Sequence, residues 1–147
     1  MDELELCRAG GATIGAADLY AALALRSQVF VVEQACVYLD PDGRDLAPTT
    51  THLWLRDASG GIASYLRVLA EPTGGHRIGR VVTAPDHRGR RLSARLIDIA
   101  LEHAEHPVVL DAQSHLVAMY ARNGFVPSGP EFIEDGIPHT PMRLEVT

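Results

Sequence analysis

The run from residue 81 to 96 constrains this chain more than any other. Val81, Val82 and Thr83 end a buried strand, Pro85 halts it, and His87-Arg88-Gly89-Arg90-Arg91-Leu92-Ser93 leads into an apolar-periodic helix. The first turn of a helix presents unpaired N–H groups and the positive end of the macrodipole, so a glycine-bearing turn there forms an anion cradle. Four of the thirteen basic residues (Arg88, Arg90, Arg91 and Arg95) fall in this segment, although the formal charge of the whole chain is −6. Positive charge is therefore concentrated at one strand–turn–helix junction. A basic surface helix start has the same local appearance, so the rest of the chain has to decide between them.

Upstream, residues 4–8 alternate as a first strand, and Gly10-Gly11 punctuate it. Leu19, Leu23 and Val29 with interleaved alanines predict a core-packed helix from 16 to about 29, and the β-branched run 29–34 argues against its continuation. Asp40-Pro41-Asp42-Gly43 and Asp45 read as a solvated acidic loop, because an EF-hand would need a terminal bidentate glutamate and regular odd-position ligands. Strands over 52–56, 62–69 and 77–83, joined by Asp57-Ala58-Ser59-Gly60-Gly61 and Pro72-Thr73-Gly74-Gly75, form a meander. It leads directly into the cradle.

Downstream, Leu92, Leu96, Ile99, Ala100 and Ala104 predict an amphipathic helix over 92–105, ended by Pro107. Val108-Val109-Leu110 is a short buried strand, and the strand–helix–strand order implies a parallel pair. Ser114 is the expected cap of a short helix through Met119, Tyr120 and Arg122, closed by Asn123-Gly124. Residues 125–126 and 142–146 read as closing strands.

At 147 residues the length suits one domain, spanning 1–147, that buries a core without staples. The acidic start Met1-Asp2-Glu3-Leu4-Glu5 and the lack of a membrane-length apolar run predict a cytoplasmic chain without a membrane partner. Cys7 and Cys36 have no metal spacing and are expected as free thiols; no metal is expected. All thirteen cationic side chains are arginine, which excludes lysine chemistry. The acidic balance argues against nucleic acid and suits a cationic substrate.

The segment Arg88-Gly89-Arg90-Arg91-Leu92-Ser93 resembles the acyl-CoA-binding motif of the GNAT superfamily of N-acetyltransferases, Arg/Gln-x-x-Gly-x-Gly/Ala after a strand. Arg91 stands where that family usually has its first glycine and Ser93 where it has the second; a guanidinium at 91 offers a charge-assisted bond to a pyrophosphate instead. Tyr120-Ala121-Arg122-Asn123-Gly124-Phe125 resembles the family's Tyr-x-x-x-Gly-Phe signature, in the right order and at the right distance. Residues 25–34, 40–45 and 134–139 are similar to the ElaA-like branch, so the resemblance covers nearly the whole chain.

The resemblance implies an α/β fold with a GNAT-like mixed, mostly antiparallel central sheet, flanking helices and a parallel strand pair splayed around the cofactor. It implies acetyl transfer from acetyl-CoA to a primary amine of a small molecule or peptide by direct attack, and it leaves room for a homodimer. Val81, Val82, Thr83, Arg88, Gly89, Arg90, Arg91, Leu92, Ser93, Ala94 and Gln113 are the implied cofactor contacts, and Tyr120 the implied acid at the departing sulfur. For the base, Glu33, His52, His115 and His139 all have suitable chemistry, and Glu33 is favoured by its place in the Val-Glu-Gln match. A non-catalytic acyl-CoA-binding regulatory domain is the alternative to an enzyme.

Overall fold

The computed structural model describes residues 3–145. Its centre is an eight-stranded sheet of β1 (Glu5–Gly10), β2 (Thr51–Arg56), β3 (Ile62–Ala70), β4 (His76–Thr83), β5 (Val108–Gln113), β6 (Val126–Pro127), β7 (Phe132–Glu134) and β8 (Ile137–Leu144). The spatial order is β1-β2-β3-β4-β5-β8-β6, with β7 also on β8, and every pair is antiparallel except β4 with β5. Helices α1 (Ala16–Arg26), α2 (Leu92–Leu101) and α3 (Val117–Arg122) complete the fold.

The twofold period of the strands sorts their side chains onto two cores. Leu53, Leu55, Leu66, Val68, Ile78, Val108, Leu110 and Met142 face α2, whose Leu92, Leu96, Ile97 and Ala100 form its buried stripe. The intervening Trp54, Tyr65 and Val82 face Ala22 and Leu25 of α1 and Val29 beyond it. Both faces of β3 are covered, so seven consecutive residues, Ala63 to Leu69, are buried.

The parallel contact is brief. β4 and β5 pair only at His76↔Val108 and Arg77↔Val109. Immediately afterwards β4 carries a bulge: Tyr65 and Arg67, two apart on β3, face Val82 and Gly79, three apart on β4. The extra residue is taken up with Arg80 at φ 52, and the bend turns the rest of β4 away from β5. A wedge-shaped opening between two strands of one sheet results, and Gly79 inside the strand was its sequence mark.

Four expectations are corrected. Residues 27–33 do not leave the helix; Ser27–Glu33 continues α1 as a π-helical turn that buries Val29. Helix α2 stops at Leu101, one turn early. Ser114 does not cap α3 but starts a 3₁₀ turn (Ser114–Leu116), its hydroxyl 2.9 Å from that of Thr140. The last strand begins at Ile137 rather than 142, because Pro141 falls where β8 pairs with β5 alone, between its contacts to β7 and β6, and leaves no outer ladder donor missing.

A fifth correction concerns the aspartates. Residues 41–44 are exposed as expected, but Asp40 and Asp45 are only 2% and 6% exposed, so the two ends of the loop are not solvated. Arg26, fully buried at the end of α1, donates from Nε to Asp40 (2.8 Å) and from Nη1 to Asp45 (2.7 Å). Arg67 on β3 reaches Asp42 (2.9 Å) and Asp45 (3.0 Å), and Arg80 at the bulge pairs with Asp40 (2.9 Å). Three arginines from three elements thus hold three aspartates of one loop. His52 Nε2 donates to the Asp45 carbonyl (2.8 Å), leaving Nδ1 to accept from the Tyr65 hydroxyl at 2.6 Å. Cys7 and Cys36 are free thiols. Among the described residues no helix is long and apolar enough to cross a membrane.

Candidate active site

The splay opens into a cleft of about 1470 Å³. Its walls include every expected cofactor contact, from Val81, Val82 and Thr83 through Arg88, Gly89, Arg90, Arg91, Leu92, Ser93 and Ala94 to Gln113. Glu33, Tyr120, His115 and His139 also line it. His52 does not: it is fully buried on the α1 face, where burial pushes its pKa down. That removes it from the choice of base.

The start of α2 is uncapped. The first bond of α2 runs from Arg95 N to Arg91 O (3.1 Å), so the amides of Leu92, Ser93 and Ala94 have no acceptor within the helix. No side chain caps them, and the first turn carries no acid that would compete with an incoming anion. Arg91, at φ 56 and ψ 32, holds a left-handed conformation that glycine adopts more readily than any other residue. The turn keeps its shape and gains a charge.

Arg91→Gly relieves about 1 kcal/mol of left-handed strain, offset in part by glycine's freedom in the unfolded chain. We expect urea unfolding to show no loss of stability, while affinity for acetyl-CoA falls. A loss of stability would mean that the guanidinium holds the loop rather than a ligand.

Ser93 has a second task. Ser64 Oγ donates to the Val82 carbonyl (3.1 Å), Thr83 Oγ1 lies 2.9 Å from Ser64 Oγ, and Ser93 Oγ lies 2.9 Å from Thr83 Oγ1. With the Ser64 proton committed, Thr83 donates to Ser64 and Ser93 to Thr83, which sews the helix start to the strand end. The loop is held at its other end by His87, which accepts from Arg90 at Nδ1 (2.8 Å) and therefore carries the proton on Nε2 that it gives to Asp57 (3.0 Å).

Tyr120 stands across the cleft on α3, 6% exposed, and burial pushes its pKa up to about 12. Its hydroxyl has no protein hydrogen-bond partner among the described residues. The ring packs edge-on against Phe125 at 6.5 Å between centroids, and Gly124, at φ 100, makes the turn that brings Phe125 under it. Asn123, expected only as part of the helix stop, also pins the end of α3 to α2 through Asp98 (2.7 Å) and the Ala94 carbonyl (3.3 Å). The helix that carries Tyr120 is therefore tied directly to the helix that starts at the cradle.

Two expected residues are engaged by side chains. Glu33, at the end of the π-helical turn, receives Arg88 in a two-pronged pair at 2.7 and 2.8 Å, and these bonds hold its carboxyl below the usual range. Gln113, at the end of β5, exchanges amide hydrogen bonds with Gln34 at 3.2 and 3.3 Å. The end of the π-helical turn is thereby tied to both sides of the wedge. Among the described residues there is no group of three or more His, Cys, Asp or Glu able to hold a metal ion.

Comparison with known proteins agrees with this architecture. A model of the acetyltransferase (GNAT) domain matches residues 24–146. A UPF0039 protein of Mycobacterium tuberculosis is 51% identical over 128 residues, 84% of this chain and 82% of that protein. ElaA of Escherichia coli is 39% identical over 145 residues, 90% of this chain and 91% of its own. The ElaA crystal structure superposes with a TM-score of 0.89 over 97% of this chain and 100% of that one, at 34% identity. An acyl-CoA N-acyltransferase from Pseudomonas aeruginosa superposes with a TM-score of 0.88 at 40% identity, over 97% and 99% of the two chains. With a family model spanning most of its length and ElaA among its homologues, the chain belongs to the GNAT acetyltransferase family.

Proposed function

We propose that this protein transfers an acetyl group from acetyl-CoA to a primary amine by direct attack within a ternary complex. The observation that carries the reading is the wedge between β4 and β5, with an uncapped, arginine-flanked helix start at one wall and the unpartnered hydroxyl of Tyr120 at the other. The amides of Leu92, Ser93 and Ala94, with Arg88, Arg90 and Arg91, would receive the phosphates of the cofactor. Beyond Arg77 the edge of β4 that faces β5 has left the ladder, so backbone groups of Val81, Val82 and Thr83 would hold the pantetheine and polarise the thioester carbonyl.

In the reaction the amine nitrogen bonds to the thioester carbon and the carbon–sulfur bond breaks. An ammonium loses one proton to a base before attack; a second leaves the nitrogen as the intermediate collapses and balances the one donated to sulfur. Tyr120 would face that sulfur and Glu33 would take the first proton. Arginines outnumber acids in this cleft and pair with Asp42 and Asp111, so Asp98, Glu134 and Asp135 are the carboxylates left in its lining to meet a cationic acceptor.

Calorimetric titration with acetyl-CoA, followed by thiol release across a panel of primary amines, tests this reading. Saturable binding with amine-dependent release of free CoA is the expected result. Binding without release under every amine would leave an acyl-CoA-binding domain, and no binding would remove the cofactor altogether.

A further inference from the structure

The pair between Glu33 and Arg88 joins two residues to which that reading gives separate tasks. Arg88 opens the phosphate loop, Glu33 ends the π-helical turn on the opposite wall, and both side chains are nearly half exposed at 43% and 45%. Both carboxylate oxygens meet the guanidinium fork. While that contact lasts, Glu33 is a poor base, because a cation fills its lone pairs and repels an incoming ammonium. Arg88 is equally withheld from a phosphate.

We infer that acyl-CoA opens this contact: a cofactor phosphate takes the Arg88 fork and Glu33 is released into the cleft. The inference rests on the acyl-CoA reading above and adds to it an exchange of partners at Arg88. The energetics allow the exchange. An ion pair at this exposure contributes little, since water screens it and two long side chains are immobilised to make it. A phosphate offers the same planar fork two oxygens with more charge, and the uncapped amides of α2 already hold it in place. The fork therefore passes from the weaker acceptor to the stronger one. The second tie, from Gln34 to Gln113, keeps the end of the π-helical turn beside the cleft, so the freed carboxylate stays within it.

The test is a double-mutant cycle read by calorimetry with CoA itself as the titrant, so that neither the acyl group nor the amine enters. Glu33→Gln removes the competitor and is expected to bind CoA about three-fold more tightly than the wild type. Arg88→Gln is expected to bind it less tightly, and the Glu33→Gln/Arg88→Gln pair to match Arg88→Gln alone, because without the fork there is nothing to compete for. If Glu33→Gln binds CoA no better than wild type, or improves it equally with and without Arg88, the exchange is overturned while acyl-CoA binding stands. If the wild type and all three variants fail to bind CoA, the acyl-CoA reading falls and the exchange with it.

Discussion

Arg26→Met is expected to destabilise the fold by about 3–5 kcal/mol, the range for breaking a buried ion pair from one side. The side chain is completely buried and its two aspartate partners nearly so; Arg80 and Arg67 still reach Asp40 and Asp45, but each carboxylate loses a charged donor where little water can replace it. Small domains have about 5–15 kcal/mol in all, so urea unfolding should show a midpoint shifted by a large fraction of its value. Arg143→Ala, which breaks an exposed pair with Glu145, should lower stability by no more than about 0.5 kcal/mol. Equal effects from the two would show that the buried network contributes nothing beyond a surface pair. The network does more than hold weight: through Arg80 it ties the loop 40–45 to the bulge that opens the wedge, so Arg26→Met should also blunt binding of acetyl-CoA.

The same network sets a pH profile for stability. Burial alone would raise the Asp45 carboxyl, but hydrogen bonds from Arg26 and Arg67 overcome it and hold the pKa below the ordinary range; Arg67 does the same for Asp42. A carboxylate depressed in the folded state contributes above its unfolded pKa of about 4, and that contribution is lost as pH falls further. His52 is depressed too, by burial and by Asp45-bound arginines beside it, so its unfolded form takes up a proton first, near pH 6.5. Stability should be flat above neutrality, fall with a slope of at most one proton below about pH 6.5, and fall more steeply below about pH 4. Urea midpoints between pH 3 and 8 read this directly, and a profile that stays flat down to pH 4 would show that His52 charges freely inside the fold.

These arginine–aspartate pairs were also what the sequence hid best. Asp40, Asp42 and Asp45 sit among proline and glycine and look solvated, and their partners lie 14 to 40 residues away on a helix and two strands. No local pattern joins them. The meander, α2 and the cradle were legible because their signals are local: a twofold period broken by glycine turns, a helical stripe after a proline, four arginines close together. The Tyr-x-x-x-Gly-Phe run was legible for the same reason, since Gly124 is the turn and Phe125 the packing partner of Tyr120. The β-branched run 29–34 misled, because intrinsic preference gave way to burial of Val29 in one core with Trp54 and Tyr65. Local reading places a residue in the cleft but not its partner, as Glu33 with Arg88 and Gln113 with Gln34 illustrate.

Tyr120→Phe is expected to lower turnover about 100-fold, a typical loss for a general acid, while affinity for acetyl-CoA changes less than about two-fold. The reason lies in where the hydroxyl stands. It lines the cleft without a protein partner, so its removal breaks no hydrogen bond of the described fold, and the phenyl ring keeps its edge contact with Phe125. Melting temperature should therefore stay within a degree or two, which separates chemistry from folding. With burial holding the phenol near 12 and a departing thiolate near 8.5, complete transfer before the bond breaks would be uphill by about 5 kcal/mol. Tyr120 would act instead by donating a hydrogen bond that strengthens as charge develops on sulfur, with the proton crossing as the intermediate collapses. A phenol with so high a pKa stays protonated through pH 10, so no alkaline limb below that value should belong to it. Wild-type turnover in the Phe variant would take Tyr120 out of the reaction, and an alkaline limb near pH 8 that vanishes in the variant would mean that the hydroxyl titrates in a wetter place than this cleft provides.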